Sequence, residues 1–174
     1  APIKILGTEE KVSHTFTFNI NGEETDIRMG GYIDRLDMSG GKIRVIDYKT
    51  GSRQQKELKS TDDIFDASKI ESHTDYYLQT LLYAVIIAAD KSINPMSLPV
   101  TPQLFFVQKM SSRDFSPSLV INGAEIDDAQ DIAKEYIEGL QRLLADILNP
   151  ELPFAPTSST ATCLTCPLSQ ICRT

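Results

Sequence analysis

Several things missing from this 174-residue chain narrow what it can be. It has no basic excess: the formal net charge is -7, whereas proteins that hold a phosphate backbone by charge alone carry surplus lysine and arginine. A local groove or a bound cation can still reverse that sign where it matters. No apolar run is long enough for a bilayer, since the longest, residues 81–89, is about half a span. No N-terminal stretch has the basic, apolar, small-residue order of a signal peptide. The expectation is a cytoplasmic protein with no membrane association. There is no cysteine outside residues 163–172, and an odd count of three argues against a disulfide framework. Neither an internal repeat nor a domain boundary is visible, so residues 1–174 read as one domain with a cysteine-bearing tail at 155–174.

What is present is ordinary globular material, 41% hydrophobic and 24% charged, enough for a real core. Residues 14–20 alternate Phe16, Phe18 and Ile20 with polar positions, as a half-buried strand does. Asn21-Gly22 is a hairpin signal, and a second strand runs from about Thr25 to Met38, with Gly30-Gly31 marking a bulge or a close backbone approach. Gly40-Gly41 turns the chain again into a strand over 43–49. Residues 51–73 are polar and aperiodic and read as a mobile excursion with at most a short helical piece. A helix follows from Thr74-Asp75 to Asp90, apolar enough to be buried on most sides. A strand is expected at 103–109, a short one at 118–121, and an amphipathic helix over 126–148. The segment 156–162, "PTSSTAT", reads as extended.

The chemistry concentrates in "RVIDYKTG", residues 44–51. A two-residue turn at Gly40-Gly41 places Met38 opposite Ile43, Leu36 opposite Val45, Asp34 opposite Asp47 and Tyr32 opposite Lys49. Asp37 and Arg44 pair on the other face. Side chains directly opposite in an antiparallel pair have Cβ atoms about 4.5–5.5 Å apart. Two carboxylates that close repel, unless one is protonated or a cation such as Mg²⁺ sits between them. Lys49, on the same face, completes a group suited to metal-assisted attack of water on a phosphodiester. The plainer alternative is a surface ion pair between Asp47 and Lys49, worth about 0–1 kcal/mol. A three-residue turn would also move Asp34 to the other face.

"GYIDRLDMSGGKIRVIDYKTG" resembles the nuclease domain of the RecB-like family in the PD-(D/E)XK superfamily. The resemblance implies that Asp34, Asp47 and the Tyr48 carbonyl are ligands of Mg²⁺ or Mn²⁺, and that Lys49 is catalytic. "QTLLY" carries Gln79 and Tyr83 at the family's Q-x3-Y spacing, and positions i and i+4 share a helix face. By the same resemblance both would serve the site. Glu9 and Glu10, ahead of the first strand, read as a solvated charge pair, and His14 as a strand residue. The C-x2-C-x5-C of Cys163, Cys166 and Cys172 suggests metal ligation, and resembles the end of AddB-type nucleases that hold a 4Fe-4S cluster. Those clusters take a fourth cysteine from before the nuclease core, and the family's preceding helix supplies a histidine. Neither is in this sequence, so the resemblance implies a C-terminal piece of a longer protein, lacking its N-terminal helix and any complete cluster.

The implied fold is α/β: a mixed, mostly antiparallel central sheet flanked by helices, a restriction-endonuclease-like core. The implied function is a metal-dependent deoxyribonuclease, an exonuclease with DNA as substrate and a helicase subunit or fused helicase domain as partner. The alternative is a non-catalytic nuclease-like module that binds DNA ends or a partner protein.

Overall fold

The computed structural model describes residues 2–51, 56–153, 155, 163–164 and 166–172. Four strands form the sheet in chain order: β1 (Lys4–Ile20), β2 (Glu23–Ser39), β3 (Lys42–Lys49) and β4 (Val100–Phe106). β1, β2 and β3 run antiparallel to their neighbours, and β4 joins β3 in parallel. Both tight turns need positive φ at their two central residues. Asn21 and Gly22 supply it at 53° and 90°, Gly40 and Gly41 at 61° and 80°. Such turns match the right-handed twist of the strands they join.

The Gly40-Gly41 turn sets the β2–β3 register as expected: Ser39 opposite Lys42, Met38 opposite Ile43, Leu36 opposite Val45, Asp37 opposite Arg44. The ladder stops at Arg35 and Ile46, so the expected Asp34–Asp47 and Tyr32–Lys49 pairs lie beyond its end. Strand β1 is longer than its alternation suggested. Its N-terminal half carries Glu9 and Glu10 as exposed strand residues, and its register shifts between Ile5 and Gly7. Gly30 and Gly31 sit in a continuous ladder and mark a close approach rather than a bulge: a Cβ on Gly30 would fall 2.1 Å from the Val12 carbonyl oxygen.

Helix α1 (Thr74–Ala89) packs against all four strands. Tyr77, Leu81, Ala84 and Ile87 are fully buried, as its nearly unbroken apolar run predicts. Its outer side meets 3-10 helices at Thr61–Phe65 and Ala129–Asp131, and Tyr136 of α2 (Ala133–Ile147) donates a 2.7 Å hydrogen bond to the Leu78 carbonyl. The expected mobile excursion is therefore partly core. Leu58, Thr61, Asp63 and Ile64 are buried, and a second 3-10 helix spans Ala67–Ser72. Residues 52–55 lie outside the described residues.

Two boundaries also differ. β4 begins at Val100 and gives way at Val107 to a 3-10 turn, Val107–Lys109. The amphipathic stripe is real, but Ile126 and Ala129 bury their side chains from a loop and a 3-10 turn before α2 starts. There Asp128 accepts from Gln130 N–H and Val100 N–H, and Thr101 donates to the Asp127 carbonyl, so the chain is tied to β4 before it can coil. Val120–Ile121 (β5) pairs with Ala124–Glu125 (β6), close to the short strand expected at 118–121. The segment 156–162 lies outside the described residues.

Candidate active site

The C-terminal end of β3 brings most of the singled-out residues together. Beyond the last ladder pair, the Tyr48 N–H finds its acceptor in a side chain, donating to Asp34 Oδ2 at 2.7 Å. That bond places the Asp34 carboxylate beside the backbone between Asp47 and Lys49. Asp47 is only 6% exposed. Its Oδ2 is buried without a well-formed hydrogen bond among the described residues, and its neighbour is the Lys49 ammonium, 2.8 Å away as an ion pair. Burial pushes the Asp47 carboxyl above its ordinary range; Lys49 pulls it back and the nearby Asp34 carboxylate adds to the rise.

Lys49 is held from three sides. Besides Asp47, its Nζ donates to Gln79 Oε1 at 3.3 Å and lies 4.4 Å from the centre of the Tyr76 ring. Gln79 and Tyr83 do share a helix face: Gln79 Nε2 donates to the Tyr83 hydroxyl at 3.5 Å, at the limit of a useful hydrogen bond. Tyr83 in turn lies over Gly31, where a Cβ would come within 2.3 Å of its hydroxyl. The glycine in β2 therefore makes room for a tyrosine from α1. Tyr32 is 57% exposed at the same end of the sheet.

Sequence reasoning passed over several of these neighbours. Tyr76 carries the ring under Lys49, and His73 stacks on Tyr76 with centroids 5.0 Å apart. His73 precedes α1 with a left-handed φ of 56°, and an i, i+3 spacing from Tyr76 was the only available signal. On the other side of β3, Asp37 is fully buried and takes a bidentate pair from Arg44 at 2.6 and 2.9 Å, plus an ion pair from Arg35. Arg35 also donates to the Tyr48 hydroxyl at 3.2 Å. Tyr48 is thus held by its N–H on one side and its ring oxygen on the other. The Asp37–Arg44 pairing was readable from the register; the reach to Tyr48 was not.

The donor set suits a small hard cation. Two carboxylates and a main-chain carbonyl are oxygen ligands of the kind Mg²⁺ takes, with water and phosphate completing the shell. An aspartate oxygen buried without a proper hydrogen bond is what such an ion would satisfy. Among the described residues no three His, Cys, Asp or Glu side chains gather tightly enough to hold a metal by themselves. Cys163 and Cys166 are half-buried, Cys172 is exposed, all three are free thiols, and the Cys166 N–H donates to the Cys163 carbonyl. No described helix is long and apolar enough to cross a membrane.

No curated protein and no solved structure matches the chain. The sequence does match the family model of the PD-(D/E)XK nuclease superfamily, over residues 2–173. Members of that superfamily are usually nucleases, and they generally use divalent metal ions. With nearly every residue inside the match, this chain belongs to the PD-(D/E)XK nuclease superfamily.

Proposed function

We propose that the protein is a Mg²⁺- or Mn²⁺-dependent deoxyribonuclease whose centre is Asp34, Asp47, Tyr48 and Lys49. The observation that carries this is the pair of buried Asp47 and half-buried Lys49, 2.8 Å apart, beside a second carboxylate held on the backbone of the same strand. An acid kept out of water next to another acid costs stability, and a cation site accounts for that cost. Asp34, Asp47 and the Tyr48 carbonyl would hold the ion, which supplies Lewis acidity toward a phosphoryl oxygen. Lys49 donates a hydrogen bond to the attacking water or to the charge that develops on phosphate. Gln79, with Tyr83 behind it, fixes the lysine so that its ammonium does not swing into solvent.

The finer reading is an exonuclease working with a helicase subunit or a fused helicase domain in DNA repair. It rests on the RecB-like spacing of "GYIDRLD", "DYKTG" and "QTLLY". We place the reaction in the cytoplasm. For the tail we propose no complete iron–sulfur cluster in this chain alone, because Cys163, Cys166 and Cys172 fall one short of the four thiolates such clusters take.

The test is incubation of linear DNA with Mg²⁺ or Mn²⁺. Asp47→Ala and Lys49→Ala should each lower the cleavage rate by about 10²–10³-fold, and a chelator should stop it. Equal cleavage by wild type and Asp47→Ala would refute the assignment. DNA binding with no cleavage by any form would instead favour the non-catalytic module. Metal binding has its own readout: at about 100 times Kd the ion stabilises the wild-type fold by about 2.7 kcal/mol, and Asp47→Ala should lose that response.

A further inference from the structure

Next to the Lys49 centre, and not used by it, lies a cleft of about 370 Å³ after the end of β4, with Phe106, Phe115, Lys109, Ser112, Asp114 and Ser116 among its walls. Its position follows from the parallel β3–β4 ladder, in which Phe106 is the register partner of Lys49. The Tyr76 ring lies between them, 4.4 Å from Lys49 Nζ and 6.2 Å from the Phe106 ring. Gln108 Nε2 donates to the Thr50 carbonyl at 3.0 Å, which ties the start of the cleft's loop to the turn leaving the catalytic strand. One aromatic ring therefore separates the cleft from the reacting centre.

Its chemistry is that of a nucleotide seat. Phe115 is half-buried and braced by Phe105, their centroids 6.0 Å apart, so its ring is held rather than free to collapse. Lys109 is half-buried and makes no ion pair among the described residues, in a chain whose formal charge is -7. Asp114 shares the rim and repels anions, which sets an orientation: phosphate toward Lys109, and the amino edge of a base toward Asp114. The volume is at the lower end for small-molecule sites and too small for stacked base pairs.

We propose that this cleft binds one unstacked nucleotide adjoining the scissile phosphate, with its base on Phe115 and its phosphate at Lys109. The word "scissile" rests on the nuclease reading above; the nucleotide seat itself does not. The consequence is that the strand end must be unpaired before it is cut, because a base within a duplex stack cannot enter.

The test is fluorescence anisotropy in EDTA, so that nothing is cleaved, with a short labelled single-stranded oligonucleotide and the same oligonucleotide made of abasic units. Wild type should bind the abasic form about tenfold more weakly, since stacking on an aromatic side chain is worth about 1–3 kcal/mol per base. Phe115→Ala and Lys109→Ala should each weaken binding of the normal oligonucleotide by a similar factor. With Mn²⁺ present, the loss should fall on KM rather than kcat. Equal affinity of wild type for both oligonucleotides overturns the seat, and that arm needs no variant to fold. Normal cleavage by Phe115→Ala with unchanged KM also overturns it, and leaves the nuclease reading standing. Binding that depends on Phe115 with no cleavage by wild type leaves the seat standing and removes the nuclease reading.

Discussion

Asp47 holds a charge where the fold would be better off without one. Its carboxylate is buried, its Oδ2 lacks a proper hydrogen bond among the described residues, and only Lys49 offsets it. In metal-free protein, Asp47→Asn should therefore raise Tm by about 2–4 °C, equivalent to roughly 1 kcal/mol for a domain of this size, while abolishing cleavage. Thermal unfolding in EDTA checks the first part; an unchanged or lower Tm would mean that the Lys49 pair already compensates the burial. Gly30 and Gly31 make an opposite case. Gly30→Ala would drive a Cβ to 2.1 Å from the Val12 carbonyl and should cost about 1–3 kcal/mol in denaturant unfolding. Gly31→Ala meets only the end of the Tyr83 side chain, so it should shift that ring and cost less stability. Asp34, Asp47 and Lys49 could be picked out from the register of the β2–β3 hairpin, and Gln79 and Tyr83 from a family motif whose spacing keeps both on one helix face. Tyr76 and His73 could not, because an aromatic helix residue reads as core until the helix is placed over Lys49.

At the level of elements, the segment before α1 departs most from its sequence. Residues 56–73 lack periodicity, yet Leu58 bridges to Ile121 and Ile64 enters the core. Asp63 organises this stretch: it accepts from Lys59 N–H at 2.8 Å and Ser60 Oγ at 3.2 Å, and pairs with Lys69. The Lys69 partner first, and then these hydrogen bonds, hold the Asp63 carboxyl below its ordinary range. A carboxyl depressed in the fold stabilises it above the unfolded pKa, and that gain is lost as pH falls through the lower, folded value. Asp63→Asn should thus cost about 1–2 kcal/mol at neutral pH, and the gap from wild type should close in acid below about pH 4. Urea unfolding at a series of pH values measures it. The strands and α1 were legible because alternation and apolar density report directly on burial. The 3-10 turns were not, since they are held by side chains rather than by an apolar pattern: Asp63 by close neighbours in its own segment, and Asp128 by Gln130 and by Val100 of β4.

For the whole molecule, the sheet and α1 form the working unit and α2 braces it from outside. Gly139 of α2 abuts Phe65, where an added Cβ would lie 2.1 Å from the ring. Gly139→Ala should lower stability by about 1–3 kcal/mol through overpacking, and leave cleavage per folded molecule unchanged. Activity that falls in step with a correctly measured folded fraction satisfies this; a lower kcat at full folding does not. The order of the sheet could be anticipated only as far as β3. The parallel entry of β4 depends on a crossover by α1 that no local pattern encodes. That entry has a consequence for how the protein could change. Since β3 and β4 run the same way, the chain leaves both at one rim, after Lys49 and after Phe106. A loop grafted or lengthened between residues 110 and 117 would redraw the mouth of the site without disturbing its floor, so selectivity and catalysis could be inherited and altered separately.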